Sequence, residues 1–278
     1  MAFKGILTST FIFSLLGACG TYVPQIQEPW ETKGKLSDFS AGGELEYKIK
    51  KKIYCSIVDA VLASRSEGIL PPGWAVQLSL SLQVDETGAL NPGVSLIDPL
   101  PASQSFTLGL GATLSSQSTR EDKFGAYWEL DRLKSRTGNP CDAEGAQASG
   151  SSLLLVSELG ITEWLIDGLN SRNYLPSSSG KKSDSFYKQD FLSYRIKFVV
   201  ISGGSITPTW KLTKIATGNG GLPLASANRT RTHDLLLTFG PTFKAGSPNL
   251  ALSSHQAQDF GIAVSNGFRN TSPYFVFP

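Results

Sequence analysis

The sequence predicts an α+β fold built as two tandem repeats, each a helix followed by an antiparallel β-meander, the copies related by a pseudo-two-fold axis. Three observations carry this expectation. From Trp74 to Val84 every second residue is apolar (Val76, Leu78, Leu80, Leu82, Val84), with Gln77, Ser79, Ser81 and Gln83 between them, the period-two signature of a half-buried strand. The same phase returns without a gap 116 positions later (208 minus 92): Leu192, Tyr194, Ile196, Phe198 and Val200 fall on those apolar positions, Gly204 on Gly88, Pro208 on Pro92 and Leu212 on Leu96. Each block also follows a stretch of helical period. Shared alternation alone would explain the apolar matches. The recurring proline, a residue confined to edges, strand starts and bulges, points to duplication.

Taken in order, residues 1–18 read as an export signal. Lys4 supplies a basic start, Ile6 to Leu16 an apolar core too short for a permanent membrane helix, and Leu16-Gly17-Ala18-Cys19 a small-residue processing site. That quartet resembles the lipobox of bacterial lipoproteins. The resemblance implies signal removal, acyl chains on Cys19 and a body outside the cytoplasm. Gly20 stands where inner-membrane retention would usually show an aspartate, so it further implies lipid anchoring in the outer membrane, with the body in the periplasm or at the cell surface.

Residues 19–42, with Pro24, Pro29 and Gly42-Gly43 at the end, read as lipidated cysteine and tether. The first repeat spans 43–135. It opens on an amphipathic helix in which Leu45, Ile49, Ile53, Ile57 and Val61 face one way and Lys48, Lys50, Lys51 and Lys52 largely the other. In its hairpin, Asp85-Glu86-Thr87-Gly88 supplies turn chemistry between Trp74–Val84 and a facing strand through Leu90, Pro92, Val94 and Leu96. Phe106 to Leu114 and Phe124 to Leu130 alternate in turn and complete a meander. Its other face is small: Ser79, Ser81, Gly93, Ser95, Thr107, Gly109, Gly111 and Thr113. Such a face is either smooth solvent surface or a docking face for a helix, a subunit or a flat ligand.

A Gly/Ser/Asn-rich linker at 136–152 leads to the second repeat, 153–278. Leu153 to Asn170 is expected to be helical, the second hairpin covers Leu192 to Thr213, and Asn249 to Val264 forms a C-terminal helix before a last aromatic strand, Tyr274 to Phe277. Arg195, Lys197 and Lys211 point away from the second core face and Arg229 and Arg231 can join them. Together they are a candidate site for phosphate or carboxylate groups of an envelope glycan or glycolipid, against a reading as scattered surface charge.

With Cys19 assigned to lipid, Cys55 and Cys141 remain in an oxidising compartment, where they pair as a disulfide or Cys55 stays a buried thiol. Without residues 1–18 the body has 24 basic against 23 acidic residues, a formal +1, which argues neither for nucleic acid nor for an acidic partner, and no nucleic acid is expected. No transmembrane helix follows the signal.

No catalytic site is selected. Two histidines, His233 and His255, make no metal cluster, and there is no G-x-S-x-G elbow. Ser179-Gly180-Lys181-Lys182-Ser183 lacks the first glycine and the preceding strand of a phosphate loop. The carboxylates Asp98, Glu121, Asp122, Glu129 and Asp131 offer no preferred acid/base pair. No cofactor is expected. The reading is a lipid-anchored envelope protein with a non-catalytic binding or scaffolding role, joined to the membrane through its lipid and meeting a glycan, glycolipid or protein partner. An oligomeric, pore-forming outer-membrane lipoprotein and a hydrolase of envelope polymers are the alternatives.

Overall fold

The computed structural model describes residues 22–27, 40–100, 104–133, 141, 152–175, 191–208, 215–217, 221–242 and 250–270. Among these the chain is α+β. The order is α1 (Ala41–Ser66), β1 (Trp74–Leu90), β2 (Gly93–Pro99), β3 (Ser105–Gly111), β4 (Leu114–Glu129), a 3-10 turn (Leu130–Arg132), α2 (Leu153–Val156), α3 (Ile161–Tyr174), β5 (Leu192–Ile206), β6 (Ile215–Thr217), β7 (Ala225–Pro241) and α4 (Leu250–Asn270).

The long strands form one sheet in the order β4-β1-β7-β5, and β3-β2-β6 form another. Neighbours in the first sheet are antiparallel, as contacts along it require. Thr119 meets Asp85 while Gly125 approaches Leu78; Arg229 meets Glu86 while Thr242 meets Gly73; Ser202 meets Arg229 while Arg195 meets Asp234. Each pair of contacts runs up one strand and down the next.

The order corrects the expected symmetry. A two-fold relation would set β1 beside its counterpart β5; β7 stands there instead, so the hairpins β4-β1 and β7-β5 follow one another in the same sense. The expected turn at Asp85 to Gly88 is also absent. β1 runs straight through these residues, because Thr119 of β4 holds Asp85 and Arg229 of β7 holds Glu86 as cross-strand partners, with Gln83 of β1 itself also donating to Asp85. β5 likewise runs through Gly203 and Gly204. β2 therefore pairs with β3 and not with β1.

Two compact units divide the chain, with boundaries inside all four long strands: residues 1–26, 82–122 and 199–232 in the first, and 27–81, 123–198 and 233–278 in the second. The second holds the core. Ser40 caps α1, its hydroxyl accepting from the Gly43 amide, and the helix buries Leu45, Ile49, Ile53, Ile57 and Val61. The same unit buries Trp74, Val76, Leu78 and Leu80 of β1 and Leu235, Leu237 and Phe239 of β7, and α1 packs against the helix Ile161–Tyr174. Arg65 ends α1 by donating to the Leu130 and Leu133 carbonyls, 2.9 Å each. The predicted helix 153–170 is two helices, separated by residues 157–160, with Gly160 in the left-handed region at φ 61° before α3 begins. On α3, Trp164 stacks on Tyr194 at 4.8 Å and tilts against Phe239 at 5.8 Å. Cys55 and Cys141 are joined, with Cα atoms 5.5 Å apart.

Candidate functional site

The first unit carries a surface unlike the rest of the molecule. β2 and β3 pair from Gly93↔Gly111 to Pro99↔Ser105, with Val94↔Leu110, Leu96↔Leu108 and Asp98↔Phe106 on one face and Ser95↔Gly109 and Ile97↔Thr107 on the other. β6 extends the sheet by pairing Leu96 with Ile215 and Ser95 with Ala216. The period of two thus sorts leucine and phenylalanine to one side and glycine, serine and threonine to the other. The apolar side is not covered by other described residues: Phe106 is 57% exposed, Leu110 56%, Leu108 45% and Leu96 43%.

The ladder does not end where β1 gives way to β2. The Asn91 amide donates to the Leu224 carbonyl at 2.8 Å, its side chain donates to the Pro223 carbonyl, and the Ala112 amide donates to Pro92 at 2.9 Å. Pro92 has no amide hydrogen to give, and these bonds carry the pairing past it. On the same unit a shallow concavity of about 420 Å³ is lined by short polar groups, Thr87, Ser115, Gln117, Ser226 and Asn228 among them. It offers no charged group to an ionic ligand.

The expected cationic residues do not converge. In the second unit Arg195 lies alongside Asp234, which donates no proton but accepts two hydrogen bonds and holds the guanidinium's pKa above its ordinary value. Lys197 is exposed. In the first unit Arg229 pairs with Glu86 and also donates to the Gln25 carbonyl, and Arg231 is buried. Along β7, Arg229 and Arg231 have the parity of buried His233, opposite to Asp234, so that strand sends them to the face away from Arg195's partner. Lys211 and Cys19 lie outside the described residues, as does the stretch Tyr274 to Phe277.

The catalytic candidates are occupied by structure. Ser152 and His233 approach to 2.8 Å, Oγ to Nδ1, but both are buried in the second unit. His255 Nδ1 lies 3.1 Å from Thr238 Oγ1, and burial lowers its pKa against the pull of Asp259. Asp122 accepts from Arg120, Glu129 pairs with Arg132, and Asp131 accepts from the Gly73 amide. Among the described residues no group of three or more His, Cys, Asp or Glu could hold a metal ion, and no helix is long and apolar enough to cross a membrane.

The chain matches no protein-family model and no curated protein. Among solved structures it is similar to the Salmonella SPI-1 type III secretion injectisome secretin InvG (residues 176 to the end, open gate state), at 9% identity and a TM-score of 0.18, covering 66% of this chain and 65% of that one. A second structure, the InvG secretin-domain β-barrel from the same injectisome, gives 10% identity and a TM-score of 0.17, covering 68% of this chain and 69% of that one. At these scores neither likeness fixes a fold.

Proposed function

We propose that the protein is a subunit of an oligomeric β-pore in the bacterial outer membrane, anchored by acyl chains on Cys19, with two duplicated hairpins contributing the strands. The observation that carries this reading is the β3-β2-β6 sheet, exposed and mainly apolar on one face, with Asp98 at its end, and small on the other apart from Ile97. That sorting suits a wall between lipid and water, where an outward apolar band alternates with a small or polar inner face. Length agrees on one strand. Apolar alternation covers nine residues from Phe106 to Leu114 and seven from Leu90 to Leu96, where Asp98 ends it, and a spanning strand tilted by about 45° needs ~9–11. Burying the exposed parts of Leu96, Phe106, Leu108 and Leu110 stabilises the inserted state by ~3–6 kcal/mol per subunit, taking half of ~1.5–3 kcal/mol for each side chain.

The duplication has support in the rungs of the long sheet. Glu86 meets Arg229, and the Arg229 carbonyl meets Ser202, so residue 86 of β1 lies near the level of residue 202 of β5, in keeping with the sequence offset of 116, while Arg195 beside Asp234 would set the level two residues lower. A non-catalytic role is retained, and a channel is preferred to a scaffold because the exposed sheet alternates apolar and small residues as a wall between lipid and water does.

Planar-bilayer recording on the full-length lipidated protein tests the proposal. Discrete conductance steps that disappear in Leu108→Arg are expected; an intact, lipidated protein that never conducts overturns the pore. Fatty-acid labelling that is lost in Cys19→Ser checks the anchor separately.

A further inference from the structure

The long sheet is open among the described residues. Its outer strands, β4 of 16 residues and β5 of 15, have no strand beyond them. Neither contains a proline, and β5 exposes Val199 and Ile201 at 48% and 69%. Charge is present too, at Arg120 to Lys123 of β4 and at Arg195 and Lys197 of β5, but long edges with exposed apolar residues pair with other strands unless something covers them.

We infer that the β5 edge of one copy pairs antiparallel with the β4 edge of the next, head to tail, so that identical chains close into a ring. This deepens the pore reading and rests on it for the membrane argument. Four strands alternate in direction across the sheet, so β4 and β5 run oppositely. A second copy set beside the first, in the same orientation, therefore meets it with an antiparallel pair and continues the alternation. The other arrangements fail on the apolar face. A two-fold axis normal to the sheet would invert the partner and send its Leu108 and Leu110 to the opposite end. A two-fold axis along the strands would turn those residues to the other side. Only the head-to-tail contact keeps the apolar band of every subunit at one height and on one side, and such heterologous contacts close into rings when the rotation allows.

The pairing has a template inside the chain, because β1 beside β7 is the same junction between successive hairpins. Thr119 meets Asp85, and Ser202 lies near the level of Glu86 through Arg229, within the two-residue difference that Arg195 beside Asp234 implies. Copies at equal height place Ile201 of one opposite Thr119 of the next, with Gln117 or Glu121 taking that position if the ring's tilt shifts the register by two.

The test is disulfide trapping in the full-length protein, pairing Ile201→Cys with Gln117→Cys, Thr119→Cys or Glu121→Cys, under mild oxidation and against the wild-type chain as background. A ladder of covalent oligomers from one of the three double variants, absent from each single variant, is expected. Dimers from Ile201→Cys alone would overturn the inference in favour of a two-fold contact. So would the absence of any ladder in protein that light scattering finds oligomeric, and so would a monomer under all conditions. A ladder without conductance keeps the ring and removes the pore; conductance without a ladder removes this edge pairing and leaves the pore.

Discussion

Two stretches with the same sequence rhythm meet different surroundings. In the second unit, Trp74, Val76, Leu78 and Leu80 of β1 alternate with Gln77 and Ser79 and are buried. In the first unit, Phe106, Leu108 and Leu110 of β3 alternate with Thr107 and Gly109 and are exposed. The rhythm reports that a strand has two unlike faces. It carries no information about what the apolar face meets, which depends on what the rest of the chain packs against it.

The comparison breaks most sharply at Phe239. This ring is fully buried against Trp164, so Phe239→Ala is expected to cost ~3–5 kcal/mol by denaturant unfolding, while Leu110→Ala on the exposed sheet stays within ~0.5 kcal/mol. Equal losses would mean that the apolar sheet is part of a core. Next comes the Cys55–Cys141 bridge of the second unit, which spans 86 residues of sequence. Replacing both cysteines by serine should lower stability by ~2–4 kcal/mol, read as a shift in the urea midpoint. Leu108→Arg is the converse case. It should leave unfolding in solution unchanged and weaken insertion into vesicles by ~2–4 kcal/mol at mid-membrane depth; flotation equal to wild type would show that lipid does not meet this face.

The smallest effect concerns His255, buried beside Thr238 with its pKa held below the ordinary 6.5. The unfolded chain binds this proton more readily than the folded one. Its contribution is therefore complete above the unfolded value and is lost as pH falls from there through the folded pKa. His255→Gln should flatten the acid side of the stability profile relative to wild type, and an unaltered slope would place the titration elsewhere.

Much of the fold is legible in the chain. α1 follows from Leu45, Ile49, Ile53, Ile57 and Val61, and the long strands from unbroken alternation. What misled was local composition at Asp85 to Gly88. A true turn need not preserve phase, whereas Val84, Glu86, Gly88 and Leu90 keep one parity through this stretch, which is the mark of a strand that never turns. The expected anion site fails for a related reason. Positions of Arg229 and Arg231 were read against β5, but Glu86, which takes Arg229, lies 143 residues away. Pairing at that range leaves no local trace. The sheet is legible in the sequence as a smooth face of glycine and serine; the side on which the proposal rests is the opposite one, where Phe106 and Leu108 have the pattern of ordinary core residues but are exposed.

Interleaving Leu108 and Leu110 with Thr107, Gly109 and Gly111 also governs how such a chain can be delivered. Secretion machinery that arrests runs of about 20 apolar residues has nothing to arrest here, because every second position is small or polar. The exposed apolar face belongs to no single stretch of chain and comes into being when β2 and β3 pair. On the proposed pore reading, the affinity for a membrane is therefore acquired by folding and is not carried by the unfolded thread.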